Sequence, residues 1–175
     1  MVRTTDIDFL IPKLPPKTVS VDIPALMEEL GFHNDYSSDG WLTLHKPELH
    51  VEFLWPRMGP KDDKPIEIKD WGINARPLRH MWLLRDHQIA VLYKGMTLTV
   101  PHPVAYSFHK LIIADRRTKP EKQAKDRAQA EEVLLAFRET GDRKMIHEFF
   151  DKLSKKDKSS VEMTLAKMPL LDGLL

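Results

Sequence analysis

Hydrophobic and polar residues alternate along residues 4–11, which predicts a β-strand near the start of the chain. Side chains of a strand point alternately to its two faces, so Ile7 and Phe9 share one face while Asp6 and Asp8 share the other. Two carboxylates therefore leave the same surface side by side. Their mutual repulsion is relieved either by solvent or by a bound cation.

A second alternating stretch covers residues 50–55, where three apolar residues fall on one face and Glu52 falls on the other. We expect this strand to pair beside the first one, with the apolar faces of both on a common core. Glu52 then joins Asp6 and Asp8, and three carboxylates stand over one patch of the sheet.

The segments around this strand predict a hairpin and a short helix. Residues 41–45 alternate and lead through a turn at Pro47 into the strand that carries Glu52. Upstream, Asp22 is a good N-cap for a helix whose apolar residues we expect in the core and which ends at Gly31.

Further along the chain, the pattern predicts more antiparallel structure. Residues 66–69 form a short alternating stretch, and residues 88–93 and 96–100 alternate around Lys94-Gly95, a pair suited to a two-residue hairpin. We interpret the hairpin as an antiparallel extension of the same sheet. Residues 56–65 are rich in turn formers and predict a polar loop, a candidate lid.

From Pro103 onward the period becomes helical. Ala105, Phe108 and Ile112 define a buried stripe, and Lys110 belongs to a polar stripe on another face of the same helix.

A longer helix is predicted from Pro120 to about Thr140, with Lys125 and Asp126 on its polar face. An isolated helix commonly has a solvated face of this kind, but here polar stripes follow each other on consecutive helices. Residues 142–175 continue with apolar residues at helical spacing, which we expect to be core.

The order of elements predicts an α+β fold. A mixed, partly antiparallel sheet occupies residues 1–100 and carries the acids on one face, and a C-terminal helical portion occupies residues 101–175.

Composition narrows the function only modestly. The chain has 175 residues with 27 basic and 26 acidic side chains, a formal charge of +1, so no global field favours nucleic acid or a membrane as partner. Cysteine is absent, which excludes disulfides and thiolate metal sites. No apolar run reaches the ~20 residues of a membrane span, and the N-terminus lacks a signal-peptide core, so we expect a cytoplasmic protein without membrane contact.

The chemistry of the acids leaves two interpretations open. Asp6, Asp8 and Glu52 are a solvated strand face, or they hold a hard cation such as Mg²⁺, which prefers carboxylate oxygens together with substrate phosphates.

These residues also carry a family resemblance. Thr5-Asp6-Ile7-Asp8 followed by the strand-borne Glu52 resembles the nucleotidyltransferase-fold, or polymerase-β-like, superfamily. The helical half, from Pro101-x-Pro103 to Lys125-Asp126, is similar to bacterial members related to abortive-infection, toxin–antitoxin type nucleotidyltransferases.

The resemblance implies transfer of a nucleoside monophosphate from a nucleoside triphosphate to a hydroxyl, with Mg²⁺ or Mn²⁺ as cofactor. Asp6, Asp8 and Glu52 would be the catalytic metal ligands, with Glu52 also drawing the proton from the acceptor hydroxyl. Two lysines, Lys110 and Lys125, would neutralise triphosphate oxygens. The resemblance does not identify the acceptor, and tRNA, a protein and a small molecule remain alternatives.

Asp126 would orient a lysine or act as a base, again by resemblance. The sequence departs from the family in one respect, because no Gly-Gly or Gly-Ser turn precedes Asp-x-Asp in these 175 residues. Backbone amides of such a turn bind phosphates, so we expect weak binding of triphosphate by this chain.

Two alternative functions remain. One is a catalytically inactive binding or regulatory module on the same fold. The other is a metal-dependent nuclease that uses Glu67 and Lys69, whose Glu-x-Lys spacing resembles half of such a site.

Overall fold

The computed structural model describes residues 5–14, 20–57, 59 and 64–175. The chain folds into two compact units, residues 3–82 and residues 83–175, and each is described by itself. The fold class is α+β with a mixed sheet, as the sequence predicted.

The described residues of the first unit form a sheet with one helix. Its elements are β1 (Asp6–Leu10), α1 (Ile23–Glu29), β2 (His33–Tyr36), β3 (Leu42–Lys46), β4 (Leu49–Pro56), β5 (Ile66–Ile68) and β6 (Ile73–Leu78), and a 3₁₀ turn (Lys69–Trp71) joins the last two.

Strand β4 is the centre of the sheet because it pairs with three others. It runs parallel to β1 and β6 and antiparallel to β3. The outer strands β2 and β5 pair antiparallel with β3 and β6. The predicted hairpin is therefore present as β3–β4, and the predicted pairing of the two acid-bearing strands is confirmed. The expected burial of the apolar face of β1 was wrong for Ile7 and Phe9, which are 41% and 54% exposed.

One face of this sheet carries the hydrophobic core of the unit. α1 packs on it through Ile23 and Met27, which are partly buried. The buried core residues are Ile11, Phe32, Leu42, Leu44, Val51, Phe53, Ile68, Ile73 and Ala75. Because side chains alternate along each strand, the opposite face receives the polar residues.

Helix α1 has the predicted ends but is less buried than expected. Asp22 accepts a hydrogen bond from the Ala25 amide at 3.0 Å, and Gly31 takes the left-handed conformation just after the helix. Leu26 and Leu30 are exposed, and the helix contains no buried residue, so its apolar positions are only partly core.

Two strands were not predicted from the pattern, β2 and β6. β2 reads His-Asn-Asp-Tyr, without the apolar alternation that predicts a strand. β6 contains Pro77, which pairs with Trp55 of β4 at a point where β5 has already ended. Proline is tolerated there because only one neighbouring strand remains.

The second unit combines a hairpin with helices. Its elements are α2 (Trp82–Asp86, at the boundary of the two units), β7 (Gln88–Tyr93), β8 (Met96–Pro101), α3 (Pro103–Ala114), α4 (Pro120–Glu139), α5 (Arg143–Asp151) and α6 (Lys155–Leu165), and a 3₁₀ turn (Pro169–Leu171) follows α6.

The β7–β8 hairpin forms as predicted, with Tyr93 opposite Met96 and positive φ at both Lys94 and Gly95. Its predicted place was wrong, however. It makes a separate two-stranded sheet and does not extend the sheet of the first unit. A hairpin signal is local and carries no information about which strand lies beside it.

Helix α3 is the core of the second unit. Ala105, Phe108 and Ile112, the predicted stripe, are all buried, and Thr164 of α6 donates to the Leu111 carbonyl at 3.0 Å. Helix α6 begins at Lys155, and Ser154 is its N-cap.

Two predictions fall partly outside the described residues. They are the predicted loop of residues 56–65 and the first residue of the predicted strand, Thr4. In the described part of the chain, no helix has the length and apolar character needed to cross a membrane.

Asp115 links three segments of the second unit by ion pairs. Its carboxylate, at the end of α3, lies 2.5 Å from Lys167 Nζ beyond α6 and 2.5 Å from an Arg127 nitrogen in α4. The hydrogen bond from Lys167, aided by that from Arg127, holds the pKa of Asp115 below its usual value. The charged form is therefore favoured in the folded state.

We expect Asp115→Asn to lower the free energy of unfolding by about 1 kcal/mol at neutral pH, because an ion pair near the surface contributes on that order. A lowered folded-state pKa gives stability that is present above the ordinary value and is lost as the pH falls through the lowered one. Urea titrations at about pH 7 and pH 3 measure the difference, with the exposed Asp172→Asn as control. An equal difference at both pH values contradicts the assignment.

Candidate functional site

The parallel pairing of β1 and β4 places the predicted acids together. Asp8 is opposite Glu52, and Asp6 is opposite His50. Residues opposite each other on neighbouring strands point to the same side of a sheet. Asp6, Asp8 and Glu52 therefore lie on one face, which we call the acidic face, and it is the face opposite the hydrophobic core.

Glu52 is held by neighbours on this face. It accepts a hydrogen bond from Thr43 Oγ1 at 3.3 Å, and Arg76 lies 3.6 Å from its other carboxylate oxygen. Its side chain is 30% exposed, whereas Asp6 and Asp8 are exposed. The acceptor atoms of Glu52 are thus already engaged by a hydroxyl and a guanidinium.

The donor set suits a hard cation, but the side chains are not gathered around one point. Three carboxylates offer the oxygen ligands that Mg²⁺ takes, and neighbouring strands are close enough for Asp8 and Glu52 to share an ion. Among the described residues, no group of three or more His, Asp or Glu side chains is arranged to hold a metal. A cation at this place requires Glu52 to turn from Arg76.

A row of histidines lies beside the acids. His33, His45 and His50 are opposite one another on β2, β3 and β4, and Asp6 ends the row on β1. The ring centroids are 5.9 Å apart for the first pair and 6.1 Å for the second. Sequence reasoning missed this row because it exists only through the pairing registers of four strands.

An open depression of about 510 Å³ lies in the same unit. It is lined by Ser37, Asp39, Trp41, Arg57, Arg76, Pro77 and Leu78. Arg76 connects it to the acidic face through its ion pair with Glu52. Neither arginine was predicted as a site residue.

The residues of the nuclease hypothesis lie elsewhere in this unit. Glu67 is on β5 and Lys69 begins the following 3₁₀ turn, with 3.8 Å between Nζ and Oε2. Their side chains are 70% and 86% exposed, so they form a surface ion pair.

The second unit brings together Asp126 and two cations. Asp126, on α4, accepts hydrogen bonds from Lys110 Nζ and from Arg117 Nε, both at 2.8 Å. The carboxylate is 5% exposed and Lys110 is 17% exposed. Lys110 also lies over the Tyr106 ring, and the Tyr106 hydroxyl donates to Gln129 at 3.1 Å.

Two opposing effects act on the ionisation of Asp126. Burial of the carboxyl raises its pKa, but hydrogen bonds from Lys110 and Arg117 outweigh burial and the net pKa lies below the usual value. Asp126 is therefore an anion that fixes Lys110 in one orientation, whereas Lys125 is exposed on α4.

The sequence had placed Lys110 and Asp126 on polar stripes of consecutive helices, and the structure joins those two side chains directly. Arg117 follows α3, and its contact with Asp126 depends on how α3 and α4 pack. The catalytic, metal-binding and nucleotide-binding roles assigned to Asp6, Asp8, Glu52, Lys110, Lys125 and Asp126 stay predictions.

Comparison with known proteins adds one finding. Searches among curated proteins and among solved structures gave no match. The model of a family described as nucleotidyltransferase matches residues 1–153, a range that includes the acidic face and the cluster around Asp126. Because the match covers most of the 175 residues, the chain belongs to this nucleotidyltransferase family.

Proposed function

We propose that the protein is a metal-dependent nucleotidyltransferase that moves a nucleoside monophosphate from a nucleoside triphosphate to a hydroxyl acceptor. One observation carries the proposal: in a chain of this family, Asp8 and Glu52 are opposite each other on parallel strands, and Asp6 shares their face. An acidic sheet face outside the core is where hard cations and phosphates can be brought together.

Asp6, Asp8 and Glu52 are the proposed ligands of Mg²⁺ or Mn²⁺. When bound, the metal neutralises charge on the phosphates during transfer. Glu52 is the proposed general base. The acceptor oxygen attacks the α-phosphorus, the bond from that phosphorus to the bridging oxygen breaks, diphosphate leaves, and the hydroxyl proton passes to the Glu52 carboxylate.

Lys110 and Lys125 are proposed to bind the nucleotide, with Asp126 as a positioning residue. Support for this role comes from the geometry around Asp126, which holds Lys110 by a 2.8 Å hydrogen bond. A lysine fixed in this way has less rotamer freedom to lose when an anion binds.

A second candidate is a module that binds without catalysis. The contacts of Glu52 favour it, because Thr43 and Arg76 occupy the carboxylate that the mechanism needs as ligand and base. The two candidates differ in one outcome, which is whether a labelled nucleotide becomes attached to an acceptor.

Incubation with Mg²⁺, α-labelled nucleoside triphosphates and RNA, protein or small-molecule acceptors tests the function. We expect transfer by the wild type and a rate at least about 100-fold lower for Glu52→Gln, because a general base typically contributes a rate factor of that order. Asp8→Asn should be similarly impaired.

The exposed Glu29→Gln is the matched control, because it removes one acid of the same unit at the end of α1. Transfer that survives in Asp8→Asn and Glu52→Gln contradicts the assigned site. Absence of transfer with every acceptor class, together with retained nucleotide binding, favours the binding module.

For the helical unit, we expect Asp126→Asn to lower the free energy of unfolding by about 3 kcal/mol, because it leaves a nearly buried lysine without its anion. Denaturant titration at neutral pH measures the loss. Glu139→Gln, an exposed change on the same helix, should shift stability by less than about 0.5 kcal/mol. Equal stabilities of the two variants would show that the cluster is not a structural unit.

A further inference from the structure

We propose that the depression lined by Arg57 and Arg76 is an anion site for the diphosphate portion of the nucleotide. The inference rests on the proposed function for the identity of the ligand and on the structure for the site itself. The ligand class is a chain of two or three linked phosphates, which carries several negative charges and planar sets of oxygen acceptors.

Arg76 lines the depression and is half-buried. Its guanidinium makes an ion pair with Glu52 at 3.6 Å and lies 5.1 Å from the centre of the Trp41 ring. Within the part of the chain that the structure describes, it donates no hydrogen bond, although its side chain is only 36% exposed. A guanidinium has five N–H donors. A half-buried guanidinium whose donors make no hydrogen bond is suited to a ligand rich in acceptors.

Trp41 adds to this suitability. The indole ring supports the guanidinium by a cation–π contact and leaves its N–H groups at the edge of the plane. The planar fork of an arginine matches two phosphate oxygens at once. A lysine at this position would offer only a point charge.

Arg57 is the second cation of the depression. Its Nε donates to the Gly59 carbonyl at 2.8 Å, which fixes the plane of the guanidinium. The Ser37 hydroxyl also lines the depression and accepts a hydrogen bond from the Trp41 amide at 3.1 Å, so its own proton can be donated to a ligand.

Size and hydrogen-bond donors fit a short phosphate chain. The described lining contains the guanidiniums of Arg57 and Arg76 and the carboxylate of Asp39, and Arg76 is also paired with Glu52 beside the depression. The volume of about 510 Å³ is ample for a diphosphate, and the open shape admits the rest of a nucleotide. The two guanidiniums favour the binding of an anion, and the carboxylates of Asp39 and Glu52 oppose it.

The position of the depression explains what it does for transfer. Arg76 touches both the depression and Glu52, the proposed base. Negative charge builds up on the leaving diphosphate as the bond to the α-phosphorus breaks, and a guanidinium in contact with it stabilises that charge. Binding of the anion to Arg76 also weakens its hold on Glu52, which frees the carboxylate.

Calorimetric titration of the full chain with pyrophosphate and with tripolyphosphate, in buffer containing a chelator and no divalent metal, tests the site. We expect saturable binding by the wild type and affinity about 10- to 100-fold lower for Arg57→Gln and for Arg76→Gln, the loss typical of charged hydrogen bonds. Lys144→Gln, which removes a positive charge whose side chain is 90% exposed, should bind like the wild type.

Arg57→Gln is the cleaner variant because it leaves the ion pair between Arg76 and Glu52 in place. Circular dichroism and urea titration check that each variant is folded. Absence of wild-type binding, or equal affinity of Arg57→Gln, Arg76→Gln and Lys144→Gln, overturns the anion site.

The transfer assay is independent of this measurement. Anion binding that depends on both arginines, without transfer by the wild type, rejects the proposed function and retains the anion site. Transfer by the wild type with unchanged anion binding in the arginine variants retains the function and rejects this site.

Discussion

The parallel register between β1 and β4 is the constraint on which the candidate site depends. It puts Asp8 opposite Glu52 and turns the acids of both strands to the face that is not used by the core. A slip of one residue would move Asp6 and Asp8 to the core face and would turn Ile7 and Phe9, which are already exposed, to the acidic face. Burial of Ile11, Val51 and Phe53 on the core face therefore fixes the geometry of the acids.

Strand β4 also determines where the side chain of Arg76 lies. β6 pairs with β4 just beyond the acids, with Arg76 opposite Leu54, so its side chain leaves on the acidic face. Arg76 pairs with Glu52 in the absence of other ligands, and this contact lowers the repulsion between Glu52 and the two aspartates. A cation that binds Asp8 and Glu52 has to compete with that guanidinium, which makes anion and metal binding mutually dependent.

Local patterns in the sequence were sufficient for much of the fold. Period-two alternation predicted the face on which Asp6, Asp8 and Glu52 lie, and the Lys94-Gly95 turn predicted the β7–β8 hairpin. Helix periods likewise gave the buried face of α3. The placement of that hairpin in its own sheet was missed, because partners of an edge strand are chosen by tertiary packing.

The rest of the site was invisible for a related reason. Arg76 lies next to Pro77, in a segment without a clear strand pattern, and its approach to Glu52 depends on the register of β4 with β6. Arg117 reaches Asp126 only through the packing of α3 on α4. Arg76 and Arg117 reach their partners through contacts between segments that are far apart in the chain. A single sequence does not show which of these segments pair, or in which register.

The central claim is that Asp6, Asp8 and Glu52 are one cation site and not a solvated strand face. Crystals of the protein soaked with Mn²⁺ and measured at the manganese absorption edge test it most directly. The account predicts one or two anomalous peaks bound by carboxylates of Asp8 and Glu52, with Glu52 turned away from Arg76. A map without a peak on the acidic face at saturating Mn²⁺, with Glu52 still paired to Arg76, would contradict it.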